Sequence, residues 1–224
     1  LIILPVLESA KLNSASIPLE AISFSDNPAD WQKAFAKAIG LLHLEKSTIG
    51  VEPTRLRYLE LRFLENAAPE AQFTSAEVAL TPLRLRKDEG EISAMQNAAL
   101  IAERALQKTL PLVKPGISER QLASELVLNL LRSGSDSELP FAPIVAGGPN
   151  SANPHAVPSD RVLSRGDLVL FDWGASFAGY CSDITRTFAL GEPEPKLREV
   201  YEVVKEANLA GQQAGRPGIR AGDI

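Results

Sequence analysis

Hydrophobic and polar positions change period several times along the chain. Up to Pro82, short apolar runs alternate with segments of helical period. Leu1–Val6 and Ala21–Phe24 have the length of strands. Asn27-Pro28 opens a helix, because proline suits the first helical position. Trp31, Phe35, Ala38, Ile39 and Leu42 then recur at helical spacing. Ser47–Val51 predicts a third strand. Leu56, Leu59, Phe63 and Leu64 mark a helix ending near Pro69, and Ala71–Thr74 a short strand. Such alternation predicts an α/β domain over residues 1–83, with its boundary at Thr81-Pro82. His43 falls at a helix end, where a cation suits the dipole. No partner is visible for it, so it is read as structural.

The pattern lengthens over residues 84–224. The charged run Leu83–Glu91 reads as the solvated start of a long helix whose apolar stripe is Ile92, Met95, Ala99, Ala102 and Leu106. Met95 reads as core filler. Lys114-Pro-Gly116 stops that helix, and Ser118 with Gln121 makes a capping box for the next, which carries Leu122, Leu126 and Leu130. From Gly134 to Ser164 the chain is rich in Gly, Pro, Ser and Asn, with Phe141–Gly148 as a strand running into a loop. Leu168–Phe188 reads as a β-hairpin whose loop is the small-residue segment Gly174–Gly179. A last helix places Leu197, Val200, Val203, Val204 and Ala207 inward. Lys114-Pro-Gly-Ile117 and Arg216-Pro-Gly-Ile219 follow helices of similar length, a short internal repeat.

Composition narrows the class. The 224 residues are 45% hydrophobic and 23% charged, ordinary for a globular protein of one or two domains. A net charge of −5 gives no basic footprint for nucleic acid. No apolar run is long enough to span a bilayer. Leu1–Val6 is too short for a signal core and lacks a basic flank. A chain opening there without methionine implies a cut at the N-terminus. The single cysteine, Cys181, leaves no intrachain disulfide and fits a reducing, cytoplasmic compartment.

The candidate chemistry lies in the hairpin. Asp172 ends its first strand and Asp183 sits on its second, symmetrically about the Phe177–Ala178 bond. Symmetric pairing would oppose the two aspartates, with Cβ atoms roughly 5 Å apart. Carboxylates that close disfavour joint ionisation. A divalent cation resolves the conflict, as does one shared proton; an acidic tip in water is the third reading. Cys181 alternates to the face of Asp183, where a small packed residue is the simplest account. His155 lies in the long loop after Asn153-Pro154, a place for either a surface residue or a functional one.

Two stretches carry a family resemblance. Gly166-Asp-Leu-Val-Leu-Phe-Asp-Trp-Gly-Ala175 and Gly179-Tyr-Cys-Ser-Asp-Ile-Thr-Arg-Thr187 resemble the pita-bread metallopeptidases, and among them the Xaa-Pro peptidases of prolidase and aminopeptidase P type. Phe141–His155 resembles the same pattern. The resemblance implies a creatinase-like N-terminal α/β domain over residues 1–83. It also implies the first half of an α+β pita-bread catalytic domain over residues 84–224. It makes Asp172 and Asp183 metal ligands and places His155 beside them, to hold substrate and the charged intermediate. Two divalent ions, Mn²⁺ before Co²⁺ or Zn²⁺, would activate a water to hydrolyse the Xaa-Pro bond of a proline-containing peptide. Tyr180 and Arg186 become supporting groups. The family needs a further His and two Glu. No His follows His155, so the chain reads as an inactive piece of a longer, homodimeric enzyme with no membrane or nucleic-acid partner. The short repeat matches the internal pseudo-twofold of that fold. A methionine aminopeptidase shares the Asp pair but not the extra domain. A creatinase-like hydrolase and a non-catalytic binding module are the remaining alternatives.

Overall fold

The computed structural model describes residues 1–224 and divides them into two units, Leu1–Lys87 and Asp88–Ile224. In the first unit, β1 (Ile2–Pro5) pairs in parallel with β2 (Ala21–Phe24), and β3 (Thr48–Val51) with β4 (Gln72–Ser75). A 3-10 segment, Val6–Ser14, joins the first pair; its apolar Val6 and Leu7 gave no helical period to read. Helix α1 (Pro28–Leu42) starts where Asn27 Oδ1 accepts from Ala29 N at 3.1 Å. It buries Ala34, Ala38 and Ile39 and ends on His43, which takes a left-handed φ of 52°. His43 therefore terminates the helix through its backbone. Helix α2 (Tyr58–Ala67) packs on α1, with Phe63 and Phe35 ring centroids 5.3 Å apart.

The boundary expected at Thr81-Pro82 falls inside a helix. Helix α3 (Glu77–Leu85) runs through Pro82, and the division between units comes after Lys87. Pro82 lies past the first turn of this short helix, where it removes one backbone hydrogen bond. The break instead coincides with a helix cap: Asp88 Oδ1 accepts from Glu91 N, and Glu91 Oε2 accepts from Asp88 N.

That box starts α4 (Glu89–Thr109), the long helix of the second unit. Its buried face is Ala94, Ala98, Ile101, Ala102, Ala105 and Leu106. Ile92 and Met95, expected inward, are exposed. The helix is turned this way because side chains from the hairpin reach its backbone carbonyls along the alanine face. Ser182 Oγ donates to Ala98 O at 3.0 Å, and Trp173 Nε1 to Ala102 O at 3.0 Å. Only alanines leave room for that approach. Helix α5 (Glu119–Arg132) follows the Ser118–Gln121 capping box and buries Leu122, Leu126 and Leu130, as the sequence predicts.

Both helices cover one face of a three-stranded sheet ordered β5 (Ile144–Gly147), β6 (Leu168–Trp173) and β9 (Ile184–Ala189), antiparallel throughout. Val145, Val169, Phe171 and Trp173 point into this core, each at most 1% exposed. Burying a side chain of this kind contributes about 1.5–3 kcal/mol. The last helix, α6 (Pro195–Ala214), buries no residue, so Val200, Val203, Val204 and Ala207 are exposed rather than inward. Gly116 and Gly218 of the short repeat share a left-handed φ, but the second is followed only by the 3-10 turn Ala221–Asp223. No helix is long and apolar enough to cross a membrane.

Candidate metal centre

Strand β6 reads Leu-Val-Leu-Phe-Asp-Trp, and alternation sorts it into two faces. Val169, Phe171 and Trp173 enter the core; Leu168, Leu170 and Asp172 take the other face and are half-buried. Asp172 lies opposite Ile144 of β5 on one side and Thr185 of β9 on the other. Its Oδ1 is buried and has no hydrogen-bond partner. A buried polar atom without a partner is costly and uncommon in native proteins. Asp172 is thus not an acidic tip in water.

The hairpin is longer than its sequence suggests, and its register is shifted. Gly174–Gly179 is not a loop: β7 (Ser176–Phe177) pairs with β8 (Tyr180–Cys181), and the turn is only Ala178-Gly179. Both turn residues have positive φ, 50° and 81°, the shape of a two-residue hairpin turn. The pairing runs Ser176↔Cys181 and Trp173↔Ile184, so Asp172 meets Thr185 and not Asp183. Asp183 is not on the second strand: it precedes Thr185 by two residues, in the link between β8 and β9, diagonal to Asp172. Diagonal neighbours lie about 7–8 Å apart, beyond the close opposition expected from symmetry. No hydrogen bond joins the two carboxylates.

Gly174 explains why the sequence misleads here. A Cβ on it would lie 2.0 Å from the carbonyl oxygen of Ser182. The glycine serves a close backbone approach inside the ladder, not a turn. Beside it, Ser182 Oγ accepts from Ala175 N at 3.0 Å and donates to α4, while Ser182 N donates to Ala175 O. Ser182 thus faces α4, and alternation sends Asp183 to the face of Asp172. Asp183 is exposed. Cys181, on that same face, is exposed rather than packed.

His155 makes no hydrogen bond or ion pair with either aspartate. It is exposed, and its backbone N–H donates to Asn153 Oδ1 at 3.0 Å. Its loop begins with the 3-10 turn Gly148–Ala152, which packs on β5 and β6. Arg186 lies opposite Phe171, on the helix side of the sheet, and is exposed; its Nη1 donates to Thr185 O. Tyr180 donates its hydroxyl to Glu91, which first of all holds the phenol above its ordinary pKa.

Two carboxylates, Glu91 and Glu119, escaped the sequence reading. Glu119 is wholly buried at the first turn of α5. Burial would raise its pKa, but hydrogen bonds from Ser159, Gly147 and Asn150 outweigh it and hold the carboxyl below the usual glutamate value. The only signal was a Glu between a helix cap and a long Gly/Asn/Ser loop. Nearby, Arg161 makes a two-pronged pair with Asp167, both contacts at 2.9 Å, across Gly148.

The donors suit a hard divalent cation: two carboxylates on one sheet face, one with a buried unpartnered oxygen. No set of three His, Cys, Asp or Glu side chains able to hold an ion is assembled within the chain.

Comparison with known proteins identifies the family. The model of metallopeptidase family M24 matches residues 93–224. A putative dipeptidase of Bacillus subtilis is 34% identical over 98% of the chain, which spans 60% of that protein. An Xaa-Pro dipeptidase of Pyrococcus furiosus is 34% identical over 79% of the chain and half of its own length. Among solved structures, a dipeptidase of Pyrococcus horikoshii superposes with a TM-score of 0.87 at 34% identity, covering 99% of the chain and 60% of the other. An X-Pro aminopeptidase of Thermotoga maritima gives 0.81 at 28% identity, over 97% of the chain and 60% of the other. The chain therefore spans about 60% of several such relatives. It belongs to metallopeptidase family M24.

Proposed function

We propose that the intact protein is a metal-dependent peptidase that cleaves Xaa-Pro bonds in dipeptides or at peptide N-termini. The observation that carries this reading is Asp172 Oδ1, buried without a partner on the sheet face it shares with Asp183. Family membership and relatives named Xaa-Pro dipeptidase support the substrate class. Asp172 and Asp183 would hold the divalent metal, Mn²⁺ being the best match to an oxygen set, which supplies Lewis acidity and a water of lowered pKa when bound.

The chain's own residues have separable tasks. Asp172, fixed in the central strand, sets the position of one carboxylate, and Asp183 brings the second from the link between β8 and β9. His155 hydrogen-bonds substrate and donates toward the oxygen that gains charge at the scissile carbonyl. The first unit, residues 1–87, would be a creatinase-type N-terminal domain, and residues 88–224 would belong to a pita-bread catalytic domain. The activity is assigned to the whole protein, because this chain supplies two of the five ligands such a centre uses. We place that protein in the cytoplasm as a homodimer.

Hydrolysis of Ala-Pro and Gly-Pro by the purified intact protein, with and without Mn²⁺, tests the reading. Metal-dependent turnover lost in Asp172→Asn is expected. Turnover unaffected by Asp172→Asn and Asp183→Asn, or no turnover with any of Mn²⁺, Co²⁺ and Zn²⁺, overturns it.

A further inference from the structure

Glu119 is the one wholly buried carboxylate, and four donors converge on it. Gly147 N donates to Oε1 at 2.7 Å. Asn150 Nδ2 lies 3.1 Å from both oxygens. Ser159 donates to Oε2 twice, from its N–H at 3.0 Å and its hydroxyl at 2.6 Å. These donors come from the two ends and the first turn of one loop, the loop that carries His155. The backbone continues the attachment: Glu119 N donates to Arg161 O and Arg120 N to Ser159 O. Gly147 is the last residue of β5, whose Ile144 flanks Asp172.

A carboxylate needs none of this to begin a helix, since the Ser118–Gln121 box already caps α5. A surface glutamate would also serve the helix dipole. Burying a charge is unfavourable unless donors surround it, and here every donor belongs to the loop. The free energy of desolvating Glu119 is thus offset only when the Gly147–Ser159 loop is closed. We propose that Glu119 is a positioning residue: its carboxylate fastens both ends of the His155 loop and so fixes where His155 stands relative to the Asp172 face. This rests on His155 acting on the substrate side of the proposed peptidase.

The test uses the intact protein with Glu119→Gln, Ser159→Ala and Ser159→Thr. Glutamine keeps the size but presents an amide N–H₂ to a donor. Ser159→Ala deletes one donor at the far end of the loop and leaves α5 intact. Ser159→Thr restores the hydroxyl. Amide hydrogen exchange over residues 147–159 should rise about tenfold in Glu119→Gln and Ser159→Ala, the fold-change of one charge-assisted hydrogen bond. Protection in α4, α5 and β6 should be unchanged. The His155 ring signal in NMR, assigned by its loss in a His155→Gln control, should shift while that of His43 stays fixed. With Ala-Pro, kcat should fall about tenfold with KM within about twofold, and Ser159→Thr should recover both signals. Unchanged loop exchange and an unmoved His155 signal overturn the proposal. So does exchange that rises equally through the core, which would make Glu119 a stability residue only. A wild-type protein inert toward Xaa-Pro substrates would sink the peptidase reading; exchange and NMR would still decide the role of Glu119.

Discussion

The two faces of the β5–β6–β9 sheet differ sharply although the same strands build both. On the helix side, Val145, Val169, Phe171 and Trp173 are sealed under α4 and α5, and Phe171 meets Phe188 edge-on at 5.9 Å. On the other side, Leu168, Leu170 and Asp172 are half-buried and Thr185 is exposed. Phe171 and Asp172 are adjacent in sequence and opposite in purpose. One face minimises free energy by excluding water. The other holds a carboxylate oxygen buried without a partner, a place a bound cation would relieve. A strand of period two lets a fold keep stability and chemistry a single residue apart.

Neighbouring substitutions should pull the two faces apart. Phe171→Ala should cost about 3–5 kcal/mol by urea or thermal unfolding, through lost burial plus a cavity. A loss below about 1 kcal/mol would mean that the helix face is not the main core. Asp172→Asn should do the opposite, leaving stability nearly unchanged while activity of the intact protein falls more than about 100-fold, beyond the roughly 10–100-fold typical of groups that only support a metal ligand. Sharper still, Asp172→Leu should stabilise the metal-free chain by about 1–3 kcal/mol, since it removes an unsatisfied buried oxygen. Destabilisation by that variant would show that Asp172 has a structural partner.

Gly174→Ala tests whether the faces are coupled through the hairpin. Its Cβ would collide with the Ser182 carbonyl, so about 1–3 kcal/mol of stability should be lost and Asp183 displaced. Isothermal titration with Mn²⁺ should then show weaker binding than wild type; unchanged affinity would uncouple Asp183 from the register.

The smallest effect concerns pH. Arg161 foremost, against the opposing effect of burial, holds Asp167 below the ordinary aspartate value, and Glu119 is also held low. Both are carboxylates with depressed folded pKa. Their stabilisation is complete above the unfolded values of about 3.9 and 4.3, and is lost as pH falls through the lower folded values. Denaturant midpoints stepped from pH 6 to pH 3 should fall in acid, less so in Asp167→Asn. Equal acid sensitivity in that variant would rule the pair out as a contributor.

Local signals in the sequence determined a good deal. The α1 start at Asn27-Pro28, the Ser118–Gln121 box, the leucine stripe of α5 and the apolar face of β6 are all decided within a few residues, by capping, helical period and alternation. Asp172 and Asp183 were singled out by the family likeness of the sequence around them, and alternation alone sets Asp172 on the face away from the core. What the sequence could not settle depends on partners distant along the chain. The face of α4 was misjudged at Met95 because the side chains of Trp173 and Ser182, from far along the chain, bond to the backbone at Ala102 and Ala98. The hairpin register was misjudged because Gly174 looks like a turn residue until Ser182 O is placed beside it. Glu119 looked like any charge in a first helical turn, and its burial depends on a loop that returns as much as 40 residues later to close over it. Period and capping are nearest-neighbour physics, readable from the chain alone. Burial, close backbone approach and the desolvation of a charge are set by which distant segments meet, and only the tertiary structure decides that.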